Sequence, residues 1–242
     1  MALLEMQIGC LALNGIPARQ GKAYDGKSTI DIMAPIGVGN VKPIRWAWVY
    51  GLWVARSLVL TEVSWDQLNQ YGLATGKEVE ISGVKYQVRC PQLGAYDGQP
   101  NEWDAILKDA GERDPFNSFN YMLDGRFWGL DTCPDGWHPI REGGWAPRKG
   151  YLAANFRPVM SPITIEPDNC WTGATIQVLS KNGEAIVGVL DEVDDYDFLL
   201  SNVTRAPQGR RKSVQSFYRP LGRKRAAVDR SQVLYVQEYF SA

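Results

Sequence analysis

Acidic and apolar residues alternate through "GVLDEVDDYDFLLSN", residues 188–202, and this density of carboxylates is the first candidate for chemistry. Asp191, Glu192, Asp194, Asp195 and Asp197 lie between Leu190, Val193, Tyr196, Phe198, Leu199 and Leu200. Paired carboxylates perform acid–base catalysis only where a cleft holds them at a fixed separation. Alternate residues of a strand face water, so the same pattern describes the solvated or salt-bridged face of a strand and its turn. That reading is preferred, with catalysis or metal binding as the alternative. A calcium loop needs a glycine-centred oxygen pattern that is missing here.

The opposite charge follows. Arg205, Arg210, Arg211, Lys212, Arg219, Arg223, Lys224 and Arg225 lie between Asp197 and Asp229 with no acid among them, and Phe217 and Tyr218 sit in their midst. Guanidinium groups hold phosphate and rings stack on bases, so this interleaving suits a single-stranded nucleic acid or a nucleotide. A plainer reading has equal standing. Residues 166–197 carry eight acids and one lysine, which the basic segment could balance within one domain. A solvated loop without a role is the third reading.

His138, the only histidine, stands in "CPDGWHPIREGGW". No GxSxG elbow accompanies it, so a structural role between Trp137 and Pro139 is expected. "GVGN" at residues 37–40 lacks the strand–helix setting of a phosphate loop. Cys10, Cys90, Cys133 and Cys170 are scattered, with no CxxC, and read as reduced buried thiols rather than zinc ligands. Trp103, Trp128, Trp137 and Trp145 could line a ligand pocket, but core filling is the preferred reading for each. No catalytic residue, metal or cofactor is assigned.

Size and composition bound the elements that could position these groups. The chain has 242 residues, enough for one large or two small domains. A net charge of -1 gives no global pull towards nucleic acid or membrane, which leaves local patches. "MALLEMQIGCLALNG" has no basic leader and Glu5 interrupts its apolar run, so it does not read as a signal peptide. "IRWAWVYGLWVARSLVLTEV" contains Arg45 and Arg56, too few uninterrupted apolar residues for a membrane span, and reads as two strands broken at Gly51.

Local patterns set the remaining elements. Ser64 caps a short helix with Gln67 at its third position, Trp65 and Leu68 inward and Gly72 at its end. "KEVEISGVKYQVRC" is a hairpin about Ser82-Gly83. "PNEWDAILKDAGERD" is a helix capped by Asn101, with Trp103, Ile106 and Leu107 on one face. Residues 116–162 are rich in Trp, Gly and Pro with little regular period, and a domain boundary falls near Ile163. Short strands follow Cys170: a hairpin about Asn182-Gly183, then "YDFLLSNV", then one or two in "AAVDRSQVLYVQEYF". About five strands in roughly 75 residues fit a small barrel, which removes free sheet edges.

Two resemblances add to this. "VLSKNGEAIVGVLDEVDDYDFLLSNV" resembles the first Sm motif, most closely as it occurs in bacterial Hfq, through Asn182-Gly183, Gly188, Leu190, Val193, Asp194 and Tyr196. "VDRSQVLYV" resembles the second, with Arg230 and Ser231 where that family carries a basic residue and its neighbour. The resemblance implies an all-β Sm-like small barrel over residues 164–242. In it Asp194 fixes the loop after the second strand, Tyr196 stacks on a base, Asp195 contacts a base edge and Arg230 holds phosphate. The chain departs from the family in having no histidine near Arg230 and a long basic insertion before the last strand. "REGGWAPRKGYLAANFRPVMSP" is similar to the closing segment of C-type-lectin-like folds of the formylglycine-generating-enzyme kind. Arg141, Gly143, Gly144 and Trp145 there precede Asn155, Phe156 and Arg157. That similarity implies an α+β C-type-lectin-like recognition domain over residues 1–163, without the enzyme's paired cysteines.

Together these readings predict a non-enzymatic, cytoplasmic binding protein of the kind a phage or mobile element encodes. Its expected ligand bears phosphate, either short RNA or a small nucleotide signal such as a host defence messenger. Arg210, Arg211, Lys212 and Arg230 grip phosphate, Tyr196 or Tyr218 stacks on the base, and Asp195 and Ser231 complete the site. A protein partner through the first domain and a homo-oligomer are expected, and no membrane. The alternative is a structural or adhesive protein, with lectin-like loops on a protein or glycan and the barrel mediating oligomerisation.

Overall fold

Residues 3–34, 41–113, 125–142, 144–166, 171–206 and 217–240 are described by a computed structural model. In chain order their elements begin β1 (Leu4–Ile8), β2 (Cys10–Leu13), β3 (Ile16–Ala18), β4 (Lys22–Ala23), β5 (Ile30–Met33), β6 (Ile44–Val49), β7 (Leu52–Ala55) and β8 (Leu60–Ser64). Next come α1 (Trp65–Gln70), β9 (Lys77–Ile81), β10 (Val84–Arg89) and α2 (Glu102–Arg113). Five short strands follow: β11 (Phe127–Trp128), β12 (His138–Arg141), β13 (Trp145–Arg148), β14 (Ala153–Phe156) and β15 (Val159–Pro162). The last six are β16 (Thr175–Ser180), β17 (Ala185–Val193), β18 (Asp197–Arg205), β19 (Tyr218–Gly222), β20 (Arg225–Asp229) and β21 (Val233–Glu238). The chain divides into two compact units, Met1–Ser82 with Tyr86–Ser161, and Gly83–Lys85 with Pro162–Ala242.

Turn chemistry sets the strands of the first unit. Tyr50 and Gly51 both adopt positive φ, 51° and 74°, the two-residue turn whose twist joins antiparallel strands, here β6 and β7. Ser82 and Gly83, at φ 57° and 84°, make the same kind of turn after β9. The strands form two six-stranded sheets, ordered β1-β6-β7-β15-β10-β9 and β13-β12-β11-β14-β8-β4, and a three-stranded sheet, β3-β2-β5.

Both helices begin at side-chain caps. The Ser64 hydroxyl accepts the Gln67 N–H at 3.1 Å and the Gln67 side chain accepts the Ser64 N–H at 2.9 Å, a complete capping box. Asn101 accepts the Asp104 N–H at 2.9 Å at the start of α2. Trp103, Ile106 and Ala110 of α2 are buried against Ala47, Val49, Val54, Phe127 and Val159.

The expected α+β C-type-lectin-like fold is overturned. The structure is mostly β, 50% strand against 10% helix, with two α-helices among the described residues. The irregular reading of residues 116–162 missed β11 to β15 because strands of two to four residues are too short to show a period. Sheet pairing, not sequence pattern, specifies them.

Trp103, Trp128 and His138 serve packing, whereas Trp137 is exposed. Trp103 and Trp128 are fully buried, and the Trp128 Nε1–H donates to the Val63 carbonyl at 2.9 Å. His138 is buried, stacks on Trp65 with ring centroids 3.5 Å apart, and its Nδ1 lies 3.0 Å from the Asp131 carbonyl. Cys10, Cys90 and Cys133 are buried free thiols, and burial raises the pKa of each. No helix among the described residues is long and apolar enough to cross a membrane.

The second unit is one antiparallel sheet ordered β19-β20-β18-β17-β16-β21, in which the last strand returns beside β16, from Ile176 opposite Glu238 to Ser180 opposite Val233. Gly183, at φ 82°, turns β16 into β17. The pairing of β17 with β18 shifts register twice, between Val187 and Val189 and between Leu190 and Glu192, and such shifts bend strands. Gly188 lies at the first of them. A Cβ there would stand 2.9 Å from the Ser201 carbonyl oxygen and 3.2 Å from the Leu200 Cβ, so only glycine permits the approach. Ile176, Val178, Ile186, Leu190, Phe198, Leu200, Phe217 and Val228 fill the core under this bend.

Candidate nucleotide-binding face of the second unit

The tight turn from β17 into β18 carries the acidic run. The Asp194 carboxylate accepts the N–H groups of Tyr196 and Asp197, both at 2.7 Å, and the Asp194 N–H donates to the Asp197 carbonyl at 3.0 Å. The Asp197 and Tyr196 N–H groups, with the nearby Arg230 charge, hold the Asp194 carboxyl below the usual carboxylate range. Arg230 closes the turn from the other side. Its N–H donates to the Tyr196 carbonyl at 2.8 Å, and its guanidinium donates to the Asp194 carbonyl and lies 5.5 Å over the Phe198 ring.

Pinned in this way, the turn presents Tyr196 with 79% of its surface exposed. Beside it is a hollow of about 320 Å³, lined by Tyr196, Phe217, Tyr218, Arg219, Asp197 and Asp229. The Phe217 and Tyr218 rings meet edge to face with centroids 5.6 Å apart, so the buried Phe217 backs the half-buried Tyr218. Asp197 and Asp229 reach the hollow as register partners of β18 and β20. Carboxylates there accept from the amino and imino N–H groups of a base edge.

Arg219 is the cation that lines the hollow, and further cations stand at the tip of the β19–β20 hairpin, where Gly222, Arg223 and Lys224 turn through positive φ of 79°, 48° and 58°. Arg219, Arg223, Lys224 and Arg225 are all exposed. Two of them approach acids, Arg219 at 4.0 Å from Asp197 and Arg225 at 3.9 Å from Asp191, with the arginine side chains 75% and 51% exposed. Exposed pairs at that distance contribute little, and both guanidinium groups stay open to an outside anion.

The predicted site residues therefore divide. Tyr196, Tyr218 and Asp195 are on or beside the face, with Asp195 exposed at the turn. Arg230 and Ser231 begin the single 3-10 turn Arg230–Gln232, and both bond their own chain. The Ser231 N–H donates to the Asp229 carboxylate at 2.9 Å and its carbonyl accepts the Lys181 Nζ at 2.7 Å. Arg210, Arg211 and Lys212 lie outside the described residues. Sequence reasoning did not assign Arg219, Phe217, Asp197 or Asp229 to the site. Arg219 and Phe217, either side of Tyr218 in the basic run, were the ones with a readable signal. Asp229 joins only through strand register. Of the acids once weighed for chemistry, Asp191 accepts the Ser201 hydroxyl at 2.6 Å and Asp194 its own turn. No group of three or more metal-ligating side chains converges among the described residues.

No protein-family model, curated protein or solved structure matches this chain.

Proposed function

We propose that the second unit is an Sm-like barrel that binds a nucleotide-bearing ligand, a short RNA or a small nucleotide, without turning it over. Tyr196 stacks on a base, Tyr218 forms the second wall, Asp197 or Asp229 accepts from the base edge, and Arg219 with the hairpin cations holds phosphate. Such a binder acts in the cytoplasm, where these ligands are, and sequesters what it holds.

One observation carries this reading: a large ring 79% exposed on a turn fixed by two hydrogen bonds to the Asp194 carboxylate and two between backbone groups. Exposing a tyrosine has no packing benefit, whereas a ring held rigid before binding loses little entropy when a base stacks on it. The sheet order, with β21 beside β16, and the crowding at Gly188 support the barrel.

Titration of the full chain with a short single-stranded RNA and with mononucleotides, followed by calorimetry, tests it. Stacking is worth about 1–3 kcal/mol per base, so Tyr196→Ala weakens binding roughly 5- to 150-fold. Wild-type affinity in that variant, or no binding of either ligand at millimolar concentration, refutes the proposal.

A further inference from the structure

We propose that the first unit holds a second anion site, a cleft that takes the di- or triphosphate group of a small molecule. The cleft has a volume of about 580 Å³ and is lined by Arg19, Lys42, Arg45 and Arg56, with Gln20 and Ser57 among its polar walls. These side chains come from three separate stretches: the end of β3, the approach to β6 with its first residues, and the end of β7.

Hydrogen bonds tie the stretches together. The Gln20 amide donates to the Lys42 and Pro43 carbonyls at 3.3 and 3.0 Å and accepts the Ser57 hydroxyl at 3.1 Å. The Arg56 N–H donates to the Arg45 carbonyl at 2.9 Å. The cations are thus fixed around one concavity rather than scattered over a surface.

The charge there is unbalanced. Glu5 is shared by Arg45, at 2.9 Å, and by Arg56. Neither Arg19 nor Lys42 has an ion-pair partner among the described residues, and both are exposed. Behind Arg56 lies Arg157, fully buried, whose guanidinium donates to the carbonyls of Ala55 and Arg56 at 3.1 and 3.3 Å. Burial, and then the Arg56 charge, lowers the Arg157 pKa to about 10. Positive charge set in a low-dielectric wall focuses the field into the cleft.

The lining chooses the ligand class. Guanidinium groups bind phosphate oxygens in pairs, and four cations against one adjoining carboxylate suit a group carrying three or four negative charges. No aromatic ring lines the cleft among the described residues, so recognition is by charge and a base is not required. The volume is that of a site for a small molecule, not a macromolecule.

Calorimetry of the full chain with inorganic triphosphate, ATP and adenosine decides the matter. In Tyr196→Ala, which removes the stacking ring of the second unit, triphosphate and ATP are expected to bind with similar affinity, falling with salt, and adenosine not to bind. If ATP binds and triphosphate does not, the base is being read and the proposal is wrong. Arg19→Ala with Lys42→Ala removes two exposed cations that hold no structural bond, so the melting temperature stays put while triphosphate affinity falls at least about tenfold. Lys27→Ala with Lys108→Ala, two exposed cations of the same unit that do not line the cleft, leaves triphosphate binding unchanged. Equal loss in both double variants would show a diffuse electrostatic effect and overturn the site, as would no triphosphate heat at low salt.

Discussion

The Arg230 N–H donates to the Tyr196 carbonyl at 2.8 Å, so the residue following β20 fixes the main chain of the most exposed tyrosine in the second unit. The Arg230 guanidinium adds a bond to the Asp194 carbonyl and covers Phe198. The arginine that the Sm resemblance places on phosphate is here part of the scaffold that aims the ring. In the function proposed above, phosphate is left to exposed side chains, Arg219 and the turn cations Arg223 and Lys224.

This division of labour predicts different salt dependences. Each phosphate contact to a single strand contributes about 0.7 to the slope of log affinity against log salt. Arg219→Ala or Lys224→Ala should therefore lower that slope by roughly one contact while weakening RNA binding. Arg230→Ala should weaken binding as much or more with the slope unchanged, because it frees the turn instead of removing a phosphate contact. A reduced slope in Arg230→Ala would return that side chain to the phosphate site.

Gly188 gives a second prediction. Alanine there must displace the Ser201 carbonyl, 2.9 Å from the new Cβ, and the backbone across β17 and β18 moves with it. Overpacking of this kind costs about 1–3 kcal/mol. Chemical denaturation of Gly188→Ala should show that loss, and ligand binding should fall because the bent strand leads into the Tyr196 turn. Unchanged stability would mean that the strands can separate at little cost, against the barrel.

What the sequence disclosed depended on the range of the interaction. The Ser64 and Gln67 capping box, the Asn101 cap and the turns at Gly51, Gly83 and Gly183 are made by neighbours in the chain, and each was readable. Gly188 was readable as a crowded position though not as a contact with Ser201. The lectin-like reading failed because it rested on glycine and tryptophan spacing around residues 141–157, whose neighbours come from strands far away: Phe127 opposite Arg141, Ala153 opposite Ser64. The cleft of Arg19, Lys42, Arg45 and Arg56 was invisible for the same reason. Its cations are spread over three stretches, and Arg45 and Arg56 had stood out only as breaks in an apolar run.

The capping box itself can be weighed. Ser64→Ala removes the acceptor for the Gln67 N–H and releases the reciprocal bond, with a cost of about 1 kcal/mol. The same helix carries Trp65, whose Nε1–H donates to the Gly129 carbonyl at 3.0 Å and whose ring stacks on His138. Thermal unfolding of Ser64→Ala should therefore begin earlier with Trp65 as the reporter, and Ser64→Asp should restore most of the loss. A variant with the wild-type transition would make the cap irrelevant to the first unit.

Acid should loosen a loop of the first unit before the rest of it. Asp25 accepts the Ser28 hydroxyl at 2.6 Å and the N–H groups of Ser28 and Lys27 at 2.8 and 2.9 Å. Those bonds, the hydroxyl foremost, lower its pKa to about 2. A carboxyl depressed by folding contributes its full stability above the unfolded value near 4 and loses it as pH falls towards the folded value. The stability difference between wild type and Asp25→Ala should be constant from neutral pH to about 5 and shrink steadily between about 4 and 2. The neighbouring Tyr24 hydroxyl, which donates to the Ser28 carbonyl at 2.6 Å, reports the same loop at the other end of the scale. Burial, with Tyr71 and then Asp25 adding to it, raises its pKa to about 12, so its contribution is complete below 10 and disappears only as pH rises through the folded value. In Asp25→Ala the Tyr24 titration, read at 295 nm, should move down only slightly, because burial and Tyr71 outweigh the Asp25 charge. A fall all the way to the ordinary tyrosine value would show that the loop itself had opened and exposed the ring, since the Asp25 charge is the smallest of the causes that raise it.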